Sequence, residues 1–278
     1  RTLQKEGIAA NFAHHFLVEI SNGTLSDHHI LYAHAPLECG KKDFLVTTLV
    51  QRDGTLFLEK REVYKNGKVQ KLYGAYQKLI EKGHHTFRYN PLAIEVDAQG
   101  DAVLIQPYHE GKTLREELLE AMERVLECND EHLSVRIAAF LSIFSTFARA
   151  WRTHAECCDN YGDEEFVALF GKGETPPLPC VEGSALALSA GDFRKNGDSS
   201  YTVVGYEHIA LCAVPVDFLL YDFITAWYKE TVTGYQNAEK LMALDDILKA
   251  AGIAAEHTAL YQAWQKHLYA GLYSNHVM

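Results

Sequence analysis

The sequence predicts an α+β fold in which an antiparallel sheet with one helix precedes a mainly helical half. Short β-rich runs fill the first hundred residues, and Asp53-Gly54 separates two of them as in a tight hairpin. Apolar residues recur at helical spacing through most of the second half. Strands followed by helices are typical of α+β or two-lobed proteins. We therefore expect residues 1–106 to form a first lobe, and residues 107–278 a helical second lobe with a small β insert.

The first half is expected to contain several strands and one helix. Strands are predicted at Phe16–Ile20, Ile30–Ala33, Phe44–Gln51, Thr55–Lys60, Ala93–Val96 and Ala102–Gln106. The first of these ends at a turn signal, Ser21-Asn22-Gly23. Apolar residues at helical spacing predict a helix over Lys68–Glu81, which Gly83 ends.

The second half is predicted to be mostly helical. Thr113 and Glu116 have the spacing of a capping box, which opens a helix to about Leu126. The other elements are long helices and two short strands, separated by a loop rich in glycine and proline. The helices are Glu131–Thr153, Val216–Lys229, Asn237–Ala250 and Ala255–Tyr269, and the strands are Ser184–Leu188 and Tyr201–Gly205.

Composition and charge exclude several classes of protein. The 278 residues include 26 Lys and Arg against 37 Asp and Glu, a net charge of -11, so we expect no nucleic-acid partner. No apolar run reaches the ~18 residues of a membrane span, since Ser142, Thr146 and Arg149 interrupt the best candidate. We expect a cytoplasmic location. The chain begins at Arg1, so we also expect it to be the C-terminal piece of a longer protein.

Cysteine, histidine and aromatic patterns indicate structural roles. The six cysteines include no CxxC pair, and adjacent histidines diverge on a strand or helix, so neither a disulfide framework nor a zinc site is expected. The helical spacing of the C-terminal aromatic residues favours core packing. Carbohydrate stacking or partner docking is the alternative for these side chains, which are Tyr221, Phe223, Trp227, Tyr228, Tyr261, Trp264 and Tyr269.

The order of these elements resembles the protein-kinase-like fold, in its aminoglycoside phosphotransferase and choline-kinase branch. Lys60 ends a strand where that family has a lysine that pairs with nucleotide phosphates, and Lys68–Glu81 takes the place of helix C. Val103–Leu114 resembles the hinge strand and the "EGxxL" entry to the next helix. The resemblance implies nucleotide-binding roles for Lys60, Gln106 and Tyr108.

A narrower resemblance covers nearly the whole chain. Kinase-like domains of bacterial glycan-biosynthesis proteins, carried behind a methyltransferase or glycosyltransferase, have a similar start, here Ala10–Leu17, and a segment like Tyr32–His34. They also have a "VEKR" strand end, here Leu58–Arg61. This resemblance implies an adjoining or partner glycan-modifying enzyme, with a glycan or nucleotide as possible ligand.

The catalytic motifs of the family are altered in this sequence. Tyr201–Glu207 resembles the strand that ends in the magnesium-binding Asp, and that slot holds Gly205. Counting back 18 residues from Gly205 reaches Ala187 in the slot of the catalytic Asp, with Asp192 in the slot of a metal-binding Asn. In a second register Ala190-Gly191-Asp192 imitates "HGD", which makes Asp192 the catalytic residue. Both registers leave Gly205 at the metal position.

These departures favour a catalytically degenerate domain with a binding, scaffolding or regulatory role, and no cofactor. The alternative is an ATP- and Mg²⁺-dependent small-molecule or sugar phosphotransferase that uses Asp192 and Glu207 in unusual roles. Against this alternative, Asp198 fits an Asn-Gly-Asp turn, and Glu207 can pair with a neighbouring base. A third possibility is a protein-interaction module that is unrelated to kinases.

Overall fold

The computed structural model describes residues 28–34, 45–63, 65–82, 87–128, 131–158, 161, 163–173, 175–198, 200–235 and 237–273. The predicted strand Phe16–Ile20 and the helix-ending Gly83 lie outside the described residues. The expected α+β class is confirmed, with an antiparallel sheet in the N-terminal part and mainly helices in the C-terminal part. The described residues fall into two compact units: one groups those up to 76 with 90–109 and 273, and the other groups 77–82 and 87–89 with the described residues of 110–272.

The first unit is built on a five-stranded antiparallel sheet in the order β1-β2-β3-β6-β5. Its strands are β1 (His28–His34), β2 (Leu45–Arg52), β3 (Thr55–Glu62), β5 (Ala93–Val96) and β6 (Ala102–Pro107). The predicted helix is α1 (Lys68–Glu81), with the bounds that the sequence indicated. The β2–β3 hairpin pairs Arg52 with Thr55, so Asp53 and Gly54 form a two-residue loop. Both have positive φ, 48° and 79°, as a tight hairpin loop requires.

Carboxylates organise both the start of α1 and the interior of the sheet. The Glu62 carboxylate accepts hydrogen bonds from the backbone N–H of Asn66 at 2.7 Å, Gly67 at 3.0 Å and Val69 at 2.5 Å, which satisfies donors at the beginning of the helix. Glu59 is 1% exposed and is held between Arg52 and Arg61. Burial acts to raise the pKa of Glu59, but the two guanidinium groups outweigh it and hold the pKa below its ordinary value.

The second unit contains seven helices among the described residues. They are α2 (Leu114–Leu126), α3 (Leu133–Arg152), α4 (Glu164–Phe170), α5 (Val216–Thr231), α6 (Ala238–Leu241), α7 (Leu244–Ala250) and α8 (Thr258–Tyr273). The predicted capping box of α2 is confirmed: the Thr113 hydroxyl accepts from the Glu116 N–H at 3.0 Å, and the Glu116 carboxylate accepts from the Thr113 N–H at 2.7 Å.

An aromatic cluster lies at the centre of this unit. The Phe147 ring lies 5.0 Å from Phe193, 5.1 Å from Phe223 and 5.3 Å from Phe87, measured between ring centroids. The C-terminal aromatic residues Tyr221, Phe223, Trp227, Tyr261 and Trp264 are all buried. The predicted core role is therefore confirmed for these five side chains.

Two small three-stranded sheets complete the second unit. One pairs β11 (His208–Pro215), β8 (Leu178–Leu186) and β7 (Glu156–Cys158), and the other pairs β4 (Arg88–Tyr89), β10 (Tyr201–Val203) and β9 (Phe193–Lys195). The sequence patterns did not indicate β7, β9, β11 or α4. The predicted strand over Tyr201–Gly205 ends at Val203, two residues early. The predicted helix over Asn237–Ala250 is broken after Leu241, where Met242 leaves the helical region at φ −136°.

The expectation that no segment resembles a membrane span does not hold for helix α3. It is 20 residues long, and its most apolar 18-residue window has a mean hydropathy of 1.4. In the described part of the chain it alone is long and apolar enough to cross a membrane. Its core face is formed by Phe140, Phe144, Phe147, Ala148 and Trp151. The window is nevertheless only 22% buried, so much of α3 faces outward.

The hairpin loop yields a stability prediction. Gly54→Ala should lower the free energy of unfolding by about 1 kcal/mol, because φ of 79° is unfavourable for a residue with a Cβ. Gly74→Ala in α1 is the matched control: a Cβ there meets no atom within 4 Å, so better helix propensity should stabilise the protein by about 0.5–1 kcal/mol. Urea denaturation would measure both changes, and equal effects of the two substitutions would contradict the assigned turn.

Candidate functional site

The three predicted nucleotide-binding residues all lie in the first unit. Lys60 lies on β3, opposite Thr47 of β2 and Leu104 of β6, and its side chain is half-buried. Gln106 is 2% exposed on β6. Tyr108 follows the strand, and its N–H donates to the Leu56 carbonyl at 3.0 Å. Their roles toward a nucleotide stay predictions.

The entry to α2 is fixed by close approach of two backbones in the second unit. A Cβ on Gly111 would lie 2.8 Å from the Lys195 carbonyl oxygen, and φ at Gly111 is 127°. The Lys195 N–H donates to the Lys112 carbonyl at 2.9 Å, and the Arg194 guanidinium donates to the Gly111 carbonyl at 3.1 Å. The glycine of the "EGxxL" segment is therefore required where the chain passes β9.

The loop between β8 and β9 holds the main candidate, Asp192. Ser189 precedes a 3-10 turn over Ala190–Asp192, and the Asp192 carboxylate caps that turn. Its Oδ2 accepts hydrogen bonds from the Ser189 N–H at 2.7 Å and from the Ser189 hydroxyl at 2.8 Å. The backbone carbonyl of Asp192 accepts from the Val204 N–H at 2.8 Å. These bonds fix Asp192 against the segment that follows β10.

The other carboxylate oxygen of Asp192 fills the space beside Gly205. A Cβ built on Gly205 would lie 1.8 Å from Asp192 Oδ1 and 2.6 Å from its Cγ, well inside van der Waals contact. The structure thus brings together Asp192 and Gly205, the position to which the sequence resemblance assigns a metal-binding Asp. No side chain fits at position 205 while Asp192 keeps this conformation.

Ala187 has a left-handed backbone conformation directly after β8. Its φ of 52° is uncommon for a residue other than glycine, asparagine or aspartate, and such conformations cost on the order of 1 kcal/mol. Its methyl group cannot accept a proton. An aspartate would tolerate this conformation better than alanine does, so the backbone does not exclude a carboxylate at this position.

The remaining acidic candidates do not complete a metal site. Asp198 accepts hydrogen bonds from the Ser200 hydroxyl at 2.6 Å and from its N–H at 3.0 Å; these bonds lower the pKa of Asp198 and confirm its role in the turn. Glu207 is exposed just before β11. Within the described ranges no three His, Cys, Asp or Glu side chains cluster as metal ligands would. Because Ala187 and Gly205 carry no ligand atoms and Asp192 caps its turn, these residues do not fit Mg²⁺-ATP.

A second polar cluster, which the sequence did not indicate, joins α2 to the β9–β10 hairpin. The Glu117 carboxylate accepts hydrogen bonds from the Lys195 ammonium at 2.7 Å and from the Tyr201 hydroxyl at 2.6 Å. Burial acts to raise the pKa of Glu117, but these donors outweigh it and hold the pKa below its ordinary value. A cavity of about 430 Å³ lies beside the cluster, and one side of α3 forms part of its wall.

A buried carboxylate also lies in the groove between α5 and α8. Asp222 is 3% exposed and accepts hydrogen bonds from the Gln265 amide at 2.8 Å and the Tyr269 hydroxyl at 3.4 Å. In the part of the chain that the structure describes, no basic side chain forms an ion pair with Asp222. Burial outweighs both hydrogen bonds and raises the pKa of Asp222 above its ordinary value. The sequence signal for this site is that Asp222 interrupts the apolar run of α5.

The contact at Gly205 predicts a strong energetic coupling. Gly205→Ala should lower the free energy of unfolding by about 2 kcal/mol, because the new Cβ displaces the Asp192 carboxylate. An Asp192→Ala background removes the two nearest of these atoms and leaves the Asp192 Cβ at 3.2 Å, so the same change should cost under about 1 kcal/mol. Gly191→Ala is the control, since its Cβ would meet Ser189 Oγ at an ordinary 3.5 Å. Additive costs in the double-mutant cycle would contradict the contact.

Asp222 predicts a pH dependence of stability. Because its folded pKa is raised, the native state favours the protonated acid, and stability falls as pH rises from about 4 through that pKa. Asp222→Asn removes this penalty, so the variant should gain stability relative to the parent toward pH 8. Thermal melts between pH 4.5 and 8 would measure the difference. The exposed Asp246→Asn on α7 controls for loss of one charge, and parallel curves for parent and Asp222→Asn would show that Asp222 is not responsible.

No protein-family model matches the chain, and no curated protein sequence matches it. Among solved structures, the chain is similar to choline kinase LicA from Streptococcus pneumoniae at 10% identity and a TM-score of 0.38, covering 99% of this chain and 90% of that one. It is also similar to a mutant aminoglycoside 2'-phosphotransferase-IIIa in complex with GDP, at 13% identity and a TM-score of 0.33, covering 99% and 96%. The resemblance to this kinase-like branch and the narrower glycan-biosynthesis resemblance stay predictions.

Proposed function

We propose that this chain is a kinase-like domain that no longer transfers phosphoryl groups. It serves instead as a binding, scaffolding or regulatory module of a bacterial cell-surface polysaccharide biosynthesis protein, in the cytoplasm. Its partner is an adjoining or separate glycan-modifying enzyme, and a glycan or nucleotide is the possible small ligand.

The order of elements supports the kinase-like part of the proposal. A sheet with one helix after its third described strand comes first, and the segment with Gly111 and Thr113 then leads into the helices. A short hairpin, β9–β10, follows in the second unit, with Asp192 directly before it and Gly205 just after it. This order of elements is the one that the sequence resemblance implies.

The contact between Asp192 and Gly205 carries the proposal that catalysis is lost. Phosphoryl transfer by a kinase-like site depends on metal ions that hold the phosphates and on a group that orients the nucleophile. At position 205 the ligand is absent and its space is filled by the Asp192 carboxylate, whose other oxygen accepts two hydrogen bonds from Ser189. In the first register Ala187 also removes the group that would orient the nucleophile.

Calorimetric titration with ATP tests the loss of metal-dependent binding. We expect the same ATP-binding isotherm in millimolar Mg²⁺ and in EDTA, because positions 187 and 205 lack acidic side chains that could hold the metal ion. Asp192→Asn should leave the isotherm unchanged, and Lys60→Ala would report any remaining contact with phosphate. Tight, Mg²⁺-dependent binding that Asp192→Asn or Glu207→Gln abolishes would contradict the proposal and favour the phosphotransferase with atypical ligands.

A further inference from the structure

The outward face of α3 is formed mostly by small and apolar side chains. Val135 is 64% exposed, and the small side chains of Ala138, Ala139, Ser142 and Thr146 are exposed beside it. They lie on the side of the helix opposite the buried phenylalanines. A helix whose composition approaches that of a membrane span, and which is only 22% buried, exposes unusually apolar surface.

Opposite charges lie at the two ends of this face. Glu131 lies just before the N-cap residue His132, and Arg149 lies in the last turn. Both side chains are exposed, and neither forms an ion pair within the described residues. Eighteen positions separate them, about 27 Å of helical rise; Arg149 points to the same side as Val135 and Ser142, and Glu131 lies at the N-terminal end of the helix, before its first turn. Two helices laid antiparallel on this face would bring the end that carries Glu131 to the partner's end that carries Arg149.

The shape of the face is complementary to itself in the same arrangement. On its α3 side, the cavity of about 430 Å³ is lined by Ser142, Ile143, Thr146, Phe147 and Ala150, and polar side chains that include Glu117 and Lys195 line most of the rest of it. The exposed Val135 projects from the first half of α3. A two-fold axis between Ala139 and Ser142 would place Val135 of each copy beside Thr146 of the other, at the mouth of that cavity. The charges at the two ends and the shape of the face are thus compatible with the same axis.

We propose that this face of α3 is the contact between two copies of the chain, packed antiparallel about a two-fold axis. Such an isologous contact closes on itself, as in most symmetric dimers. Small side chains at the centre let the helices approach closely, and burial of Val135 supplies affinity. The two Glu131–Arg149 pairs fix the direction of packing more than they add stability, because exposed ion pairs contribute little.

Charge exchange gives the sharpest test. Sedimentation of the full 278-residue chain, from about micromolar to hundreds of micromolar, should show a monomer–dimer equilibrium. Glu131→Arg or Arg149→Glu alone should weaken the dimer about tenfold, since like charges then meet twice. The double variant, with both changes, should restore it. Ser142→Arg at the axis should abolish the dimer, and far-UV circular dichroism should show all variants folded.

The control is Arg115→Glu, an exposed charge change on α2 away from this face, which should leave the dimer unchanged. A parent chain that stays monomeric throughout would overturn the proposal, as would a dimer that resists Ser142→Arg or a double variant that fails to recover. A monomer that binds phosphatidylcholine vesicles through this face would also overturn it, because the apolar surface would then meet lipid.

Discussion

The packing of the Asp192 carboxylate against Gly205 is the constraint on which the candidate site depends. One carboxylate oxygen caps the turn that begins at Ser189, and the other occupies the volume where any side chain at position 205 would start. The Val204 N–H holds the backbone of Asp192 at the same point. The turn at Ser189, the end of β10 and the glycine at position 205 therefore depend on one another. A change at one of them disturbs the other two.

This arrangement uses a carboxylate for structure where a kinase-like site would use it for chemistry. A metal ion would have to compete with two donors from Ser189 for the lone pairs of Oδ2. The left-handed backbone at Ala187, by contrast, would accept an aspartate without added strain. The two positions thus differ: at 187 a carboxylate is missing although the backbone would accept one, and at 205 the space for a side chain is occupied.

The sequence predicted elements that depend on local signals. The bounds of α1 and β5 agreed with the structure, and the capping box of Thr113 was found as expected, because each depends on residues within a few positions. Strand β11 was missed although it has eight residues. Strands β7 and β9 were missed because each has only three residues, too few for an alternating pattern, and β7 also pairs with a distant strand, as Glu156 opposite Cys180 shows. The contact of Asp192 with Gly205 was hidden for a related reason: a glycine leaves no side-chain pattern, and 13 residues separate the two.

Two buried acidic residues show how neighbouring groups decide whether an interior carboxylate is stabilised in its charged form. Glu59 and Asp222 are similarly inaccessible, at 1% and 3% exposure, yet their pKa values shift in opposite directions. Two guanidinium groups surround Glu59, so its negative charge is favoured despite burial; Asp222 has only an amide and a hydroxyl, which compensate too little of the lost hydration. Glu59 therefore contributes a fixed ion cluster to its sheet. Asp222 makes the packing of α5 on α8 sensitive to protons, since removing its proton leaves a charge that no basic group in the described residues offsets.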